Sequence, residues 1–432
     1  MIDINFVRDN PDLVAERSAQ KGITVDINKL LEVDAKRRDL TAQSDAIRKQ
    51  RNELAKAGAG KQPSEDQKTQ GQKLKEDLSN LEDALKAVDK NYLELLKIVP
   101  NMPLDDVPVG SSEAENVVYK TVGELPKFDF KPLPHQVIGE KLDIIDKARA
   151  AKIAGSRFTY LKGDIVRLQF AIINFVINEL TNKEIISKLI KENGLNIPDH
   201  PFVPVLPPAL LKTAPYVASA RLNAEEMTYK VEQDDLWLNA SAEHTLCTML
   251  MDEVLPYDQL PLRFVGYSTS FRREAGSYGR DVEGIIRMHQ FDKLEMEVFS
   301  TKEGGLDEHK LLVAIQEHLV SSLGLPYQVI NKCTFDIGKP NARGVDINTW
   351  FPSQDTYRET HTADYITDYQ SRDLKIRTKN IEGKLELVHT NDATALALGR
   401  ILAAIIENNQ DNEGHFKIPE VLVPLMNGQT KI

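Results

Sequence analysis

The chain has 432 residues, of which 41% are apolar and 28% charged, and its formal net charge is −11. This length suits a globular protein of two or three domains, while the lack of any run of about 18 apolar residues excludes a predicted membrane-spanning helix and the N-terminus lacks the regions of a signal peptide. Cys247 and Cys333 are the only cysteines, too few for a disulfide framework or a four-thiolate metal site, so we expect a cytoplasmic protein.

Two segments near the N-terminus have the three- and four-residue spacing of coiled-coil helices. The positions on their inner faces are Leu30, Val33, Arg37, Leu40, Ser44, Ile47, Arg51 and Leu54 in the first and Leu74, Leu78, Leu81, Leu85, Val88, Tyr92, Leu95 and Val99 in the second. A stretch with Gly and Pro, 57–64, separates them and ends in Ser64, an N-cap candidate. We predict an antiparallel α-helical coiled-coil arm over about 28–99, within an N-terminal domain of residues 1–110.

The two predicted helices differ in charge. Residues 28–56 contain eight Lys and Arg against five Asp and Glu, whereas residues 65–98 contain six against eight. Affinity for a phosphate backbone depends on such local excesses rather than on the net charge. The candidate contacts for RNA are therefore on the first helix and the turn: Arg48, Lys49, Arg51, Lys56 and Lys61. The alternative is a solvated coiled coil without a ligand.

Residues 111–432 predict a second domain of mixed α and β structure. Alternating segments predict strands near residues 236–238, 262–265, 285–298, 327–330 and 385–389. Helical periodicity predicts helices over 163–180 and about 393–408. Because regular helical crossovers do not separate the strands, we expect a mainly antiparallel sheet. The predicted fold class is α+β.

Residues 271–298 carry the clearest chemical signal. Arg272 precedes a turn with Gly276, Gly279 and Gly284, after which polar and apolar side chains alternate. An alternating strand projects one set of side chains into a common space, here guanidinium, aromatic and carboxylate groups. Guanidinium groups suit phosphates and an aromatic face suits a base, so ATP with an amino acid fits. The alternative is a hairpin whose charged face is only solvated.

This stretch resembles motif 2 of class II aminoacyl-tRNA synthetases, in the form found in seryl-tRNA synthetases, and a weaker resemblance extends over the whole chain. It implies an N-terminal coiled-coil arm followed by a catalytic domain whose mixed, mainly antiparallel β-sheet is flanked by helices. By this resemblance Arg272 holds the α-phosphate of ATP, Glu274 meets the adenine amino group and Phe291 stacks on adenine. Arg273 and Arg287 would add ATP contacts.

Two further patches resemble the family's other ATP-binding segments. Residues 393–400 resemble motif 3, which implies that Arg400 clamps the γ-phosphate and acts with Arg272 in catalysis. Residues 357–362 resemble the patch whose oxygen ligands hold Mg²⁺. The implied metal ligands are Glu359 and Thr362, and Thr360 and His361 would lie beside the nucleotide.

The serine-binding residues are also implied by resemblance. Ser241, Ala242 and Glu243 resemble the loop that receives L-serine, with Glu243 facing its ammonium group. Glu295 and Thr394 are the candidates for recognising its hydroxyl. A site built to bond a hydroxyl can reject an analogue without one by roughly 10⁴-fold.

Several positions depart from the family's usual residues. Ser241 replaces Thr, while Thr362 and Thr394 stand where Ser is commoner, so these three keep a hydroxyl. His361 takes a position usually held by Ser. Asp392 stands where Asn is usual and would add a negative charge beside the substrate. The segment before Trp237 also lacks the usual Thr-Gly-x-Leu-Pro.

The resemblance implies a serine–tRNA ligase that forms seryl-adenylate from L-serine and ATP and charges tRNA(Ser), which the arm would grip. A homodimer is expected, with Pro207 as the candidate proline of motif 1, and no membrane partner. Two alternatives remain: a paralogue that loads a carrier protein, and a non-catalytic coiled-coil adaptor. Members of the first class tend to lack the arm. The second would be marked by loss of Arg272, Glu359 or Arg400, and all three are present.

Overall fold

The computed structural model describes residues 1–57, 64–222, 228–274 and 284–432. They form two compact units, Met1–Met102 and Pro103–Ile432. Residues 103–110, which we expected to close the first domain, therefore group with the second, where the backbone N–H of Leu104 donates to the carbonyl oxygen of Ala342 at 2.9 Å. Lys61, Gly276 and Gly279 lie outside the described residues.

The first unit contains the predicted coiled coil. Its helices in the described part of the chain are α1 (Ile4–Asp9), α2 (Pro11–Gln20), α3 (Ile27–Ala57) and α4 (Glu65–Ile98). Arg37 pairs with Asp89, and Arg48, further along α3, pairs with Glu82. These pairings show that α3 and α4 run antiparallel, which confirms the prediction.

The start of α4 has a local cause. The Ser64 side chain accepts a hydrogen bond from the backbone N–H of Gln67, and the Gln67 side chain accepts one from the backbone N–H of Ser64. This capping box satisfies two backbone donors that the first turn leaves without helical partners. The predicted N-cap is therefore confirmed.

The second unit is α+β. Its strands are β1 (Val117–Val122), β2 (Ile145–Asp146), β3 (Tyr160–Leu161), β4 (Val203–Val205), β5 (Leu210–Leu211), β6 (Lys230–Val231), β7 (Leu236–Leu238), β8 (Val254–Leu255), β9 (Leu262–Phe271), β10 (Gln290–Ser300), β11 (Tyr327–Asn331), β12 (Arg343–Phe351), β13 (Thr356–Thr367), β14 (Arg377–Lys379), β15 (Leu385–Leu387) and β16 (His389–Ala397). Its α-helices are α5 (His135–Lys141), α6 (Lys147–Ala154), α7 (Asp164–Thr181), α8 (Lys183–Glu192), α9 (Thr213–Ala218), α10 (Glu243–Leu246), α11 (Gly305–Ser322), α12 (Tyr369–Leu374) and α13 (Leu398–Asn408).

An eight-stranded sheet in the order β1-β11-β12-β13-β16-β10-β9-β4 organises this unit. Each neighbouring pair is antiparallel except β4 and β9, which are parallel. The expected mixed, mainly antiparallel sheet is thus confirmed.

None of the helices in the described ranges is both long and apolar enough to cross a bilayer.

Two predicted elements have different bounds. The strand predicted over 285–298 begins only at Gln290, because the backbone N–H of Ile285 donates instead to Nε2 of His135 at 3.2 Å and residues 284–287 form a bend. The helix predicted from about Ala393 begins at Leu398. Residues 389–397 form β16 instead, because pairing with β10 and β13 on both sides overrides the helical preference of the alanines and leucine within 393–397.

The two faces of the sheet differ in chemistry. On β10, Leu294, Met296 and Val298 belong to the apolar core that α7, α11 and α13 cover. Lys293, Glu295 and Glu297 alternate with them and therefore point to the opposite face. All six side chains are buried, so charged groups are enclosed on that second face.

Candidate active site

A cavity of about 220 Å³ opens on the charged face of the sheet. Ten of the residues predicted to bind substrates line it: Glu243, Arg272, Glu274, Arg287, Phe291, Glu359, Thr360, Thr362, Thr394 and Arg400. They come from α10, the segment that follows β9, the bend before β10, β10, β13, β16 and the start of α13. The sheet order makes this possible, since β13, β16, β10 and β9 are consecutive neighbours.

The guanidinium groups at one end of the cavity are held in defined positions. Arg272 donates through Nε to the carbonyl oxygen of Ala240 at 3.1 Å, and its guanidinium carbon lies 5.3 Å from the ring centroid of Phe291. Arg287 donates through Nε to Oε2 of Glu274 at 2.5 Å. The aromatic ring and two guanidinium groups thus share one wall, an arrangement that suits a base and its phosphates.

Oxygen ligands for a hard cation lie at the β13 side. Glu359 and Thr362 both line the cavity, and the register of β12 against β13 skips Thr360, because Asn348 pairs with Glu359 and Ile347 with His361. Within the described residues, Oγ1 of Thr362 is buried without a hydrogen-bond partner. A carboxylate and an orphaned hydroxyl facing one cavity form a donor set that fits Mg²⁺.

A second group of side chains on the same face contains the predicted hydroxyl-recognition residues. Ser241 donates through Oγ to Oε1 of Glu295 at 2.8 Å, and Thr394 donates to the same oxygen at 3.4 Å. Lys293 Nζ is in direct contact with that oxygen as well and donates to Ser241 at 3.2 Å. Burial raises the pKa of Glu295, and contact with Lys293 opposes this rise. Glu295 is therefore a fixed acceptor at the base of the cavity.

Glu243 lies beside Arg221, a residue that sequence reasoning missed. Oε1 of Glu243 is 3.6 Å from Nε of Arg221 and 3.4 Å from Nε2 of His244. Burial would raise the pKa of Glu243, but Arg221, His244 and Lys293 together hold that pKa well below its usual value. The carboxylate is therefore ionised, as an ammonium-binding group requires.

Six of the predicted substrate-binding residues lie beneath or away from the cavity surface rather than lining it. Ser241, Ala242, Glu295 and Asp392 are buried below it. His361 shares the helix-covered face with Ala363, and burial lowers the pKa of its ring to about 3. Arg273 lies within the described residues, but its side chain does not line the cavity. Roles for these residues stay predictions.

Four charged residues of the lining were not predicted: Arg221, Lys293, Lys332 and Asp364. Lys293 could have been found, since it lies on the same alternating face of β10 as Glu295. Lys332 follows β11 and lies 3.6 Å from Asp346 on β12. No local pattern marks Lys332, Asp364 or Arg221, because the chain folds them to the cavity from distant segments.

The predicted RNA contacts on α3 are surface residues. Lys49, Arg51 and Lys56 are exposed. Arg48 is exposed too, but it donates to Asp45 at 3.0 Å and to Glu82 at 2.9 Å. Lys61 is outside the described residues. Among the predicted contacts on α3, Lys49, Arg51 and Lys56 are thus exposed and have no carboxylate partner within the described residues.

Comparison with known proteins agrees with this geometry. Residues 1–103 match the family model of the seryl-tRNA synthetase N-terminal domain, and residues 229–409 match that of the class II tRNA synthetase core domain (G, H, P, S and T). The serine–tRNA ligase of Exiguobacterium sibiricum is 38% identical, with 99% of each chain covered. That of Nitrosopumilus maritimus is 35% identical, with 100% of each chain covered.

Solved structures show the same similarity. The seryl-tRNA synthetase from Pyrococcus horikoshii, complexed with ATP, superposes with a TM-score of 0.87 at 32% identity and covers 100% of this chain and 99% of its own. The cytoplasmic serine–tRNA ligase from Naegleria fowleri, in complex with AMP, has a TM-score of 0.84 at 27% identity, with coverage of 100% and 98%. The chain therefore belongs to the seryl-tRNA synthetase family, the class II aminoacyl-tRNA synthetases that ligate serine to tRNA.

Proposed function

We propose that the cavity activates L-serine with ATP and then delivers the seryl group to the 3′ end of tRNA(Ser). In the first step the serine carboxylate attacks the α-phosphorus of ATP, which gives seryl-adenylate and releases pyrophosphate. In the second, a hydroxyl of the terminal ribose takes the seryl group and AMP leaves. One observation carries this proposal: Arg272 and Arg400 line the same cavity as Glu243 and Thr394.

The chemistry requires positioning and charge stabilisation rather than a protein nucleophile. Arg272 would hold the α-phosphate, where charge accumulates as the carboxylate attacks, and Arg400 would hold the γ-phosphate. Fixed donors aimed at developing charge are the strongest contributors to such reactions. Phe291 would stack on adenine, Glu274 would accept from its amino group, and Arg287 would exchange its contact with Glu274 for a phosphate.

Mg²⁺ fits the donor set of Glu359 and Thr362 described above. When bound there it would neutralise charge on the phosphate oxygens. Glu359 is already oriented towards the phosphate end, because Arg400 donates to its carboxylate at 3.0 Å.

Recognition of serine would use two groups. Glu243 would bind the ammonium, while Glu295 and Thr394 would bond the side-chain hydroxyl. Alanine leaves those buried partners unsatisfied, which costs far more than a lost contact. Threonine adds a methyl group, worth only about 1–3 kcal/mol.

ATP–pyrophosphate exchange with serine, threonine, alanine and glycine tests this function. We expect serine to support exchange at least roughly 10³-fold better than alanine, in line with hydroxyl-reading sites. Equal exchange with alanine would overturn the roles of Glu295 and Thr394, and exchange with none of the four would overturn the activation reaction. Esterification of tRNA against loading of a carrier protein then distinguishes the ligase from the carrier-loading alternative.

The arm is proposed to bind tRNA(Ser) through the basic side of α3. Support comes from the exposure of Lys49, Arg51 and Lys56 and from the local basic excess of that helix. Such contacts act on the phosphate backbone, so binding should weaken steeply with salt.

We also propose a homodimer of a cytoplasmic enzyme. Phe170 on α7 is 55% exposed, Val203 on β4 is 54% exposed and Leu206, just after β4, is 82% exposed. Exposed apolar side chains of this size favour association, and these three lie on α7 and in the segment that leads to Pro207, the candidate proline of motif 1. Sedimentation of Phe170→Glu against the unaltered chain tests this: the variant should be monomeric, and a dimer of normal stability would contradict the proposed interface.

A further inference from the structure

Arg221 lies in the amino-acid-binding part of the cavity, beside the carboxylates of Asp392 and Glu243. Its Nη2 is in direct hydrogen-bond contact with Oδ2 of Asp392, whereas its Nε lies 3.6 Å from Glu243, beyond hydrogen-bond distance. The side chains of Arg221 and Glu243 are each 13% exposed, and that of Asp392 is 2% exposed. The guanidinium is thus bonded to one carboxylate while remaining within electrostatic reach of the other.

The guanidinium of Arg221 can therefore compete with the ammonium of the substrate for the carboxylate of Glu243. A guanidinium and a carboxylate form short, charge-assisted hydrogen bonds when they are free to do so. If the guanidinium moved onto Glu243, it would occupy the carboxylate that an incoming ammonium needs. The contact of the guanidinium with Asp392, on β16, prevents this movement.

The charge of Asp392 is set by its cross-strand neighbours. Asp364, Asp392 and Glu297 are opposite one another on β13, β16 and β10, so their side chains share the charged face. Within the described residues neither carboxylate oxygen of Glu297 has a hydrogen-bond partner, and burial with nearby Asp392 raises the pKa of Glu297 well above its usual value. Burial raises the pKa of Asp392 as well, but its direct contact with the guanidinium of Arg221 opposes this rise. Because Asp392 is in contact with a cation and Glu297 is not, we assign the negative charge to Asp392 and the proton to Glu297.

We propose that Arg221 and Asp392 form a positioning pair for the α-ammonium of the substrate, in which Asp392 holds the guanidinium away from Glu243. The inference rests on the proposed function, in which Glu243 receives that ammonium. It assigns a purpose to the carboxylate at position 392, where the family usually has Asn: the charge is the counterpart of Arg221. Removing the charge of Asp392 releases Arg221 onto Glu243 and blocks the ammonium site.

Exchange kinetics with Asp392→Asn, alone and combined with Arg221→Gln, test the pair. We expect Asp392→Asn to raise the KM for serine about tenfold, while the KM for ATP changes less than about twofold, because the competing charge acts at one end of the cavity. Adding Arg221→Gln removes the competitor and should return the serine KM to within about threefold of the unaltered enzyme. A double variant as impaired as Asp392→Asn would overturn the proposal, as would an unchanged KM in Asp392→Asn.

Binding of a non-hydrolysable seryl-adenylate analogue, with and without its amino group, separates positioning from a merely structural effect. Asp392→Asn should weaken binding of the amine-bearing analogue about tenfold and leave binding of the desamino analogue within about twofold. Equal losses for both analogues would show that Asp392 only maintains the shape of the cavity, and would overturn the proposal.

A matched control is the ion pair of Arg372 and Asp368 in the same unit, in which Nη2 of Arg372 lies 2.6 Å from Oδ2 of Asp368. Neither residue lines the cavity, so Arg372→Gln with Asp368→Asn should leave the serine KM unchanged. If Asp392→Asn fails to fold, the double variant still decides, because it removes both partners of the Arg221–Asp392 contact and leaves no guanidinium unpaired, while Glu243 keeps His244 and Lys293 as neighbours that lower its pKa. It should bind the amine-bearing analogue as tightly as the unaltered enzyme, and a loss beyond about tenfold would overturn the proposal. Absence of serine-dependent exchange in the unaltered enzyme would instead overturn the proposed function.

Discussion

Arg400 donates through Nη1 to both the backbone carbonyl oxygen of Glu359, at 2.7 Å, and a carboxylate oxygen of the same residue, at 3.0 Å. A phosphate-binding candidate is thus bonded to a metal-binding candidate. The pairing of Arg287 with Glu274 repeats this arrangement on the adenine side. If Arg400 and Arg287 bind phosphates as proposed, each guanidinium should exchange its carboxylate for a phosphate, and part of the binding free energy would then offset two lost ion pairs.

Replacing Arg400 with Ala should lower serine-dependent ATP–pyrophosphate exchange by at least roughly 10²-fold, the scale for removing one charge-stabilising donor. Arg400→Lys keeps the charge but loses the planar fork of donors, so we expect an intermediate rate. Folding should survive, since the side chain is partly exposed. Near-normal exchange in the Ala variant would contradict the assignment of motif 3.

Thr362→Val should raise the Mg²⁺ concentration needed for half-maximal exchange, because the variant keeps the shape of the side chain but loses its oxygen ligand. Loss of a group that only supports a metal ligand typically costs about 10- to 100-fold in metal affinity, and we expect loss of a ligand to cost at least about tenfold. Thr362→Ser is the matched control, since it retains the hydroxyl. A magnesium titration in which Val and Ser behave alike would contradict a metal role for this residue.

Replacing Lys49, Lys56 and Lys61 with Gln should weaken tRNA(Ser) binding and flatten its salt dependence, by about one unit of slope for each lost phosphate contact. Exchange should be unaffected, because the variants leave the catalytic unit intact. Lys73, Lys86 and Lys90 on α4 are exposed, and their replacement with Gln provides a control of equal charge change. If both triple variants lose affinity equally, α3 is not the specific RNA-binding face.

His309 should make the second unit sensitive to acid. The ring is buried, Nε2 donates to the carbonyl oxygen of Ala363 at 3.0 Å and Nδ1 accepts from Arg343 at 3.1 Å. Burial, with Arg343 adding to it, lowers the pKa of His309 to about 3. The unfolded chain protonates near pH 6.5, so the stability contributed by the neutral ring is complete above that pH and is lost as pH falls towards 3. Between pH 8 and pH 5 this loss is about 2 kcal/mol.

Urea unfolding of His309→Gln measures this contribution. The variant should be less stable at pH 8, because its hydrogen bonds are altered, yet it should lose about 2 kcal/mol less than the unaltered chain between pH 8 and pH 5. Tryptophan fluorescence isolates the relevant transition, since Trp237 and Trp350 both lie in the second unit. His415→Gln is the control, since the His415 side chain is 39% exposed. Identical pH dependence of the unaltered chain and His309→Gln would contradict the prediction.

The arm and much of the cavity lining could be predicted from local pattern. Heptad spacing and Ser64 determine where α3 and α4 lie, because both signals act within a few residues. The residues of motifs 2 and 3 could be matched one by one to a family, and the cavity gathers most of them. These successes depend on short-range sequence signals.

The remainder depends on contacts between distant residues. Residues 393–397 are mostly alanine and leucine, which favour a helix, but they belong to a central strand because β10 and β13 lie on either side of it. Arg221 and Asp392 are 171 residues apart, and no periodicity relates them. Such pairings are decided by the sheet order, which the pattern of strands alone does not specify.

The buried ring of His135 has a mechanical consequence. It accepts from the backbone N–H of Ile285 through Nε2 and contacts Glu407 through Nδ1 at 2.7 Å. Glu407 lies near the end of α13, the helix whose first turn carries Arg400. The bend that leads to Phe291 and the helix that presents Arg400 are thereby pinned to one imidazole. If the enzyme closes around its nucleotide, this bend and α13 should therefore move together as one rigid body. Only the arginine side chains should then change position relative to them.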